Sequence, residues 1–243
     1  MAAILLATAN DTLNRVAAET GLDTDPDPFA SSEKVFIQMR YLLNVAGEEL
    51  IQNYAWETLV KSHEIVTDGS EEYDLPDDFL YMLNQTGWER TQTIPMVGPL
   101  SPQDWTCLLG RDLTGGSLYA SFRINDGVLK LMPLPVPSDL EISFEYMSRN
   151  WVLDSTTGTT YIDACQVGSD TPQLDRTLLS RYLKVKFLEA KGLDSTKAQA
   201  DLNHIFGLLT ARDKGAAILN TGSGWRGYPY LNGTTSVPDS GYG

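Results

Sequence analysis

The chain has 243 residues, 42% of them hydrophobic, a formal net charge of -14 at pH 7 and only two cysteines. That length can bury a substantial core without disulfide staples, and Cys107 and Cys165 lie too far apart for a CxxC redox or zinc pair, a usage that fits a reducing compartment. The acidic balance argues against a protein that wraps a nucleic-acid backbone, and its distribution adds to this: residues 1–110 hold 18 acidic and 5 basic side chains, residues 111–243 hold 14 and 13.

The N-terminus has a short apolar run with no basic segment ahead of it and meets Asp11 early, so neither an export signal nor a membrane span is expected. Residues 8–20 read as a short helix capped by Thr8 or Asn10 and closed by Gly21. An acidic, proline-stiffened connection follows at residues 23–28. Ser31 and Ser32 are candidate caps for a second helix of about 27 residues, with Val35, Met39, Leu42, Ala46 and Leu50 as its inward stripe. Gly47 interrupts it and permits close packing, while Tyr54, Trp56 and Leu59 read as core at its end.

From Lys61 the period shortens to that of strands, and the Asn125-Asp126-Gly127 turn predicts a hairpin between Ile124 and Val128. Pro76 with Asp77 and Asp78 reads as a strand exit and helix cap, with Phe79, Leu80 and Met82 or Leu83 packing behind it. Three prolines within residues 131–137 mark an edge or connection. Helical signals return with Thr171 as a candidate cap and Pro172 as the first helical residue, an inward stripe of Leu174, Leu178, Tyr182, Val185 and Leu188, and Gly192 at the end. Asp194 then caps a last helix whose apolar face is Leu202, Ile205, Phe206 and Leu209, with Gly215 beyond it.

The expected fold is therefore α+β. A helical domain is formed by residues 1–60 and 151–219, a small antiparallel β domain of residues 61–150 (a sandwich or partly open barrel) is inserted between its halves, and residues 220–243 form an extended tail.

Chemistry is sparse. His63 and His204 have no partner at metal-ligand spacing, and nucleophile-elbow, P-loop and dinucleotide-loop motifs are absent, so no catalytic, cofactor or metal site is expected. Residues 71–79 gather five carboxylates but lack the spacing of a calcium loop; a hydrolase that pairs two of them stays an alternative. Trp88, Trp105 and Trp151 fit core or interface packing, or the wall of a sugar site. The basic residues Arg176, Arg181, Lys184, Lys186 and Lys191 suggest either a face complementary to an acidic neighbour or ordinary solubility.

The tail carries Trp225, Tyr228, Tyr230 and Tyr242 on a glycine-punctuated segment. It is either a flexible terminus partly packed on its own domain or an arm ordered by a partner.

In chain order, Tyr54-Ala55-Trp56-Glu57, then Tyr73-Asp74-Leu75-Pro76-Asp77-Asp78-Phe79, the Leu-x-Leu-x-Pro stretch within residues 127–135, Phe144-Glu145-Tyr146 and a basic, Leu-rich helical hairpin form a set. This set, over residues 5–215, resembles the head-to-tail adaptor proteins of short-tailed double-stranded DNA phages, including the tail tubular protein A group. The resemblance implies a non-enzymatic virion protein at the head-tail junction, assembled in the host cytoplasm. It would form a twelve-subunit homo-oligomeric ring beneath the portal protein, receive the tail nozzle or tail tube protein, and pass double-stranded DNA without sequence-specific binding. Trp225, Arg226, Tyr228 and Tyr230 would be the portal-docking residues, by position rather than by motif, and their glycine- and proline-rich setting departs from a helical docking arm. An acidic channel wall offers a passing duplex few phosphate contacts. A tail or baseplate module without portal contact is the competing structural role.

Overall fold

A computed structural model describes residues 5–110, 121–132 and 136–213. The tail residues Trp225, Arg226, Tyr228, Tyr230 and Tyr242, and Gly215, lie outside the described residues.

Two helices open the chain. α1 (Ala9–Thr20) starts at Thr8, whose hydroxyl accepts from the Asp11 N–H while the Asp11 carboxylate accepts from the Thr8 N–H, and it stops at Gly21 with φ 75°. The acidic connection after it is pinned to α1: Asn14 exchanges hydrogen bonds with the backbone of Asp25, and Asn10 donates to Asp27. α2 (Lys34–Asn53) is shorter than expected, and neither Ser31 nor Ser32 caps it; Glu33 holds that position without a side-chain bond. It ends because Tyr54 is extended and the Trp56 indole folds back to donate to the Leu50 carbonyl, one of the acceptors a helix end leaves open. Its buried stripe is turned by one residue from the expected one at two places, with Phe36 and Leu43 inside and Val35 and Leu42 half-buried.

After a short 3-10 turn (Glu57–Leu59) come β1 (Val60–Val66), β2 (Glu72–Asp74), β3 (Phe79–Met82), β4 (Trp88–Glu89) and β5 (Ile94–Pro95). The helix expected after Asp78 is corrected to the strand β3, because Phe79, Tyr81 and Met82 find partners on the later strand Glu141–Ser148 and pairing overrides the local capping signal. α3 (Pro102–Gly110) was not expected, although Ser101 before Pro102, exchanging hydrogen bonds with Asp104, is a helix-start signature. β6 (Ser121–Asn125) and β7 (Val128–Met132) form the expected hairpin, with Asp126 and Gly127 both at positive φ as a twist-matched two-residue turn requires.

β8 (Glu141–Ser148) follows, then β9 (Val152–Leu153), β10 (Tyr161–Ile162) and β11 (Thr171–Pro172). The helix start expected at Thr171 and Pro172 is thus corrected to β11, which pairs with β9. α4 (Arg176–Ala190) begins instead behind Asp175, whose carboxylate accepts from the Thr177 and Leu178 N–H groups. Gly192, at φ 68°, leads to α5 (Thr196–Asp213), with Asp194 accepting from the Thr196 N–H.

The fold is α+β with antiparallel sheets that do not close into a barrel. One apolar cluster joins α1, α2, α4 and α5 around Trp151, Leu43, Leu50, Leu178 and Leu183. A second joins the five-stranded sheet (β1-β8-β4-β5, with β3 on β8) to the three-stranded sheet (β2-β7-β6) through Ile65, Phe122, Leu129, Leu131, Ile142 and Phe144. β8 serves both clusters: Ile142, Phe144 and Tyr146 face the sheets, whereas Met147 belongs to the helical core. Gly47 is needed where α2 meets Trp151, since a Cβ there would sit 2.2 Å from the indole ring. The Trp151 Nε1–H is buried and finds no acceptor among the described residues.

Candidate functional site

α4 turns one side to the helical core and carries its basic residues along the rest. Most of that charge is met inside the same chain. Lys184 lies 3.1 Å from Glu19 of α1, and Arg181 lies 3.8 Å from Glu19 and 3.7 Å from Asp201 of α5. Lys186 reaches Glu49 of α2 at 2.7 Å, and the Tyr182 hydroxyl donates to the same carboxylate. Burial opposes ionisation of Glu49, yet the bonds from Lys186 and Tyr182 and the Lys186 charge hold its carboxyl below the ordinary range. Burial and the bond to Glu49 push the Tyr182 phenol up.

The remaining two candidates differ. Lys191 is exposed with its ammonium 5.4 Å from the Phe187 ring centroid. Arg176 is exposed at the α4 start and borders a small recess with Leu6, Asp11 and Arg15; its side chain has no acidic partner among the described residues. Of the five positions, Arg176 and Lys191 have no acidic partner among the described residues.

The end of α5 is tied to the helical core. The Tyr54 hydroxyl donates to the Thr210 carbonyl at 3.2 Å, and Asp213 accepts from the Glu57 N–H at 3.1 Å, tying the last turn of α5 to the segment that follows α2. Tyr54, Trp56 and Phe206 pack edge to face there, with ring centroids 4.7 to 6.3 Å apart. The last turn of α5 therefore lies beside this aromatic cluster.

The acidic stretch does not converge. Lys130 pairs with Glu72, while Glu71, Asp74 and Asp77 are exposed. Asp78 instead accepts from Lys61 Nζ at 2.6 Å, Tyr146 Oη at 2.8 Å and Ser148 Oγ at 2.6 Å. Burial raises its pKa, but those three donors and the Lys61 charge prevail and hold it low. Among the described residues no group of three or more His, Cys, Asp and Glu side chains is arranged to hold a metal ion. The His63 ring packs against Phe144 and Tyr146, and His204 is exposed. Among the described residues no helix is long and apolar enough to cross a membrane.

Sequence reasoning passed over two positions. Asp170 is fully buried, and its carboxylate accepts from the Gln166, Val167 and Ser155 N–H groups and from the Ser155 hydroxyl, at 2.8 to 3.0 Å. Burial raises its pKa and these bonds outweigh it, keeping it anionic, while the buried Cys165 thiol is pushed up to about 12 by burial and by the Asp170 charge. The other position is Tyr41, 71% exposed one turn beyond the exposed Ile37 on α2. Neither has a motif: one needs its loop folded, the other needs the helix rotation known.

No family model matches the sequence, and no curated protein matches it.

Proposed function

We propose that this chain is a structural head-to-tail adaptor of a short-tailed double-stranded DNA phage. Copies assemble as a ring beneath the portal, and the essential features are portal attachment through the tail and continuation of the DNA channel.

 The reading rests on one observation. Helices from the first and last thirds of the described chain close on a single apolar core, the chain between them builds the antiparallel sheets, and α5, which precedes the aromatic tail in sequence, ends beside Tyr54 and Glu57. A tail rooted on a rigid helical core suits an arm that a partner must order. On this reading Trp225, Tyr228 and Tyr230 enter portal pockets, Arg226 meets an acidic rim, and Arg176 is the α4 cation left for a neighbouring copy.

The test is electron microscopy of the full chain with and without the portal protein of the same particle, beside a variant ending at residue 219. The expected result is a ring on the portal for the full chain and none for the truncated one, which keeps its helical circular dichroism because both apolar clusters lie within residues 9–209. Free monomers in the presence of portal, or attachment unaltered by truncation, overturn the reading.

A further inference from the structure

The five-stranded sheet ends on β1, which among the described residues pairs with β8 alone. The far side of β8 shows which backbone groups that pairing uses. There the Glu141 and Glu145 carbonyls accept from the Arg90 and Leu83 N–H groups, and their own N–H groups donate to the Thr91 and Thr86 hydroxyls. Backbone groups alternate sides along a strand, so Ile142, Phe144 and Tyr146 aim theirs at β1, where Ile65, His63 and Lys61 meet them. Ser62, Glu64 and Val66 therefore turn their N–H and C=O groups away from the sheet, and nothing among the described residues bonds them. All three residues are exposed, Val66 by 63%.

Proteins blunt such an edge by keeping it short, by a proline, by a bulge or by covering it. Other edges of this molecule follow that rule. β5 has two residues, the second a proline, β2 has three, and the outer side of β6 is met where Phe122 donates to the Val97 carbonyl and accepts from the Leu100 N–H. β1 has seven residues, no proline and an unbroken register with β8. Its guard is charge. Residues paired across strands share a face, and Ser62, Glu64 and Val66 pair with Glu145, Ser143 and Glu141, so three exposed carboxylates lie on one face of β1 and β8. Arg90, held to Ser143 at 2.6 Å through its Nε, offsets part of that charge. On the other face His63 is half-buried against Phe144 and Tyr146, and Ile65 is buried. A strand added beside β1 thus sets alternate side chains against carboxylates and against an apolar border. A second copy is a poor occupant, because extending the sheet by another β1 brings a second Glu64, Glu141 and Glu145 to the same face, and like charges repel there.

We propose that the edge of β1 at residues 62–66 receives an extended segment of another protein in which Lys or Arg alternates with apolar residues. Its backbone pairs with Ser62, Glu64 and Val66, and its cations face Glu64 and the neighbouring carboxylates. The proposal stands independently of the adaptor reading. It is tested by amide exchange of the full chain, read by nuclear magnetic resonance, and by fluorescence anisotropy with the labelled peptide Lys-Val-Lys-Val-Lys-Val-Lys. The comparison peptides are its Glu-for-Lys counterpart and one of the same composition with the lysines in a block. The alternating basic peptide should bind and slow exchange at Ser62, Glu64 and Val66 by about tenfold or more, leaving His63 and Ile65 unchanged. Glu64→Lys should weaken binding about tenfold. Ser62→Pro removes an outward N–H and none from the β8 ladder, so it should weaken binding with unchanged circular dichroism; if that variant unfolds, the exchange data and Glu64→Lys decide. No binding, binding without protection of those three amides, equal binding of the block peptide, or parent affinity in Glu64→Lys overturns the proposal. So does protection of the three amides before peptide is added: if it rises with protein concentration a second copy occupies the edge, and if it does not, the chain covers its own edge.

Discussion

The helical and β regions are held by different means. In the helical region the decisive contacts are apolar and shape-dependent: Leu13, Met39, Leu43, Leu50, Trp151, Leu178 and Leu183 are sealed from solvent, and ion pairs sit only on the outside. The β region has the smaller apolar cluster and adds buried polar groups that organise its loops. Glu89 accepts from the Thr91 and Gln92 N–H groups, Thr67 donates to the Pro137 carbonyl and accepts from Leu140, and Asp78 joins β1, β3 and β8. Volume errors should therefore damage the first region most, and unsatisfied donors the second.

The largest expected effect tests the first half of that contrast. Trp151→Ala removes a fully buried side chain and should destabilise by about 3–5 kcal/mol in chemical denaturation, even though it also removes an orphaned indole N–H. Gly47→Ala should cost about 3 kcal/mol alone, because its Cβ meets a ring that cannot yield, and far less in the Trp151→Ala background. Additive effects would mean that the close approach is not what makes Gly47 necessary.

Asp170 sharpens the contrast, since it is a polar joint within the helical half: its own carbonyl accepts from the Ala9 N–H, coupling the loop to the start of α1. Asp170→Ala strands three backbone donors and should cost about 2–3 kcal/mol by denaturant unfolding. Asp78→Ala should cost about 2 kcal/mol by the same measurement and should loosen β3 on β8 in amide exchange before the helices respond. Both carboxyls have folded pKa values below the ordinary one. Their contribution is thus complete above about pH 4 and is lost as pH falls through the folded values, so each alanine variant should show a flatter loss of stability in acid than the parent chain.

The same contrast explains what could be read from the residues. Helical periodicity located α1, α2, α4 and α5, and the Asp126-Gly127 turn located the β6-β7 hairpin, because these signals are local. β3 and β11 were misread as helix starts: Asp78 and Thr171-Pro172 carry capping chemistry, but partners on β8 and β9 far along the chain decide their state. Trp88 was legible only as a tryptophan with two possible roles, since the register that pairs it with Ser143 is a tertiary fact. The α4 basic residues were legible as a group, while their use was not, because Glu19 and Glu49 come from other helices.

The smallest effect in folding decides the most about those cations. Glu19 serves both Lys184 and Arg181 on a partly exposed surface, so Glu19→Gln should change monomer stability by less than about 1 kcal/mol and lower its salt dependence. The change also frees Lys184 and leaves Arg181 with Asp201 as its one acidic partner among the described residues. If α4 meets an acidic face of a neighbouring copy, the variant should assemble more readily at low salt, as read by light scattering, and Arg176→Glu should assemble less readily with an unchanged denaturation midpoint. Equal assembly by parent and both variants would assign Arg181 and Lys184 wholly to packing within one chain, and would leave the outer side of α4 without a role between copies.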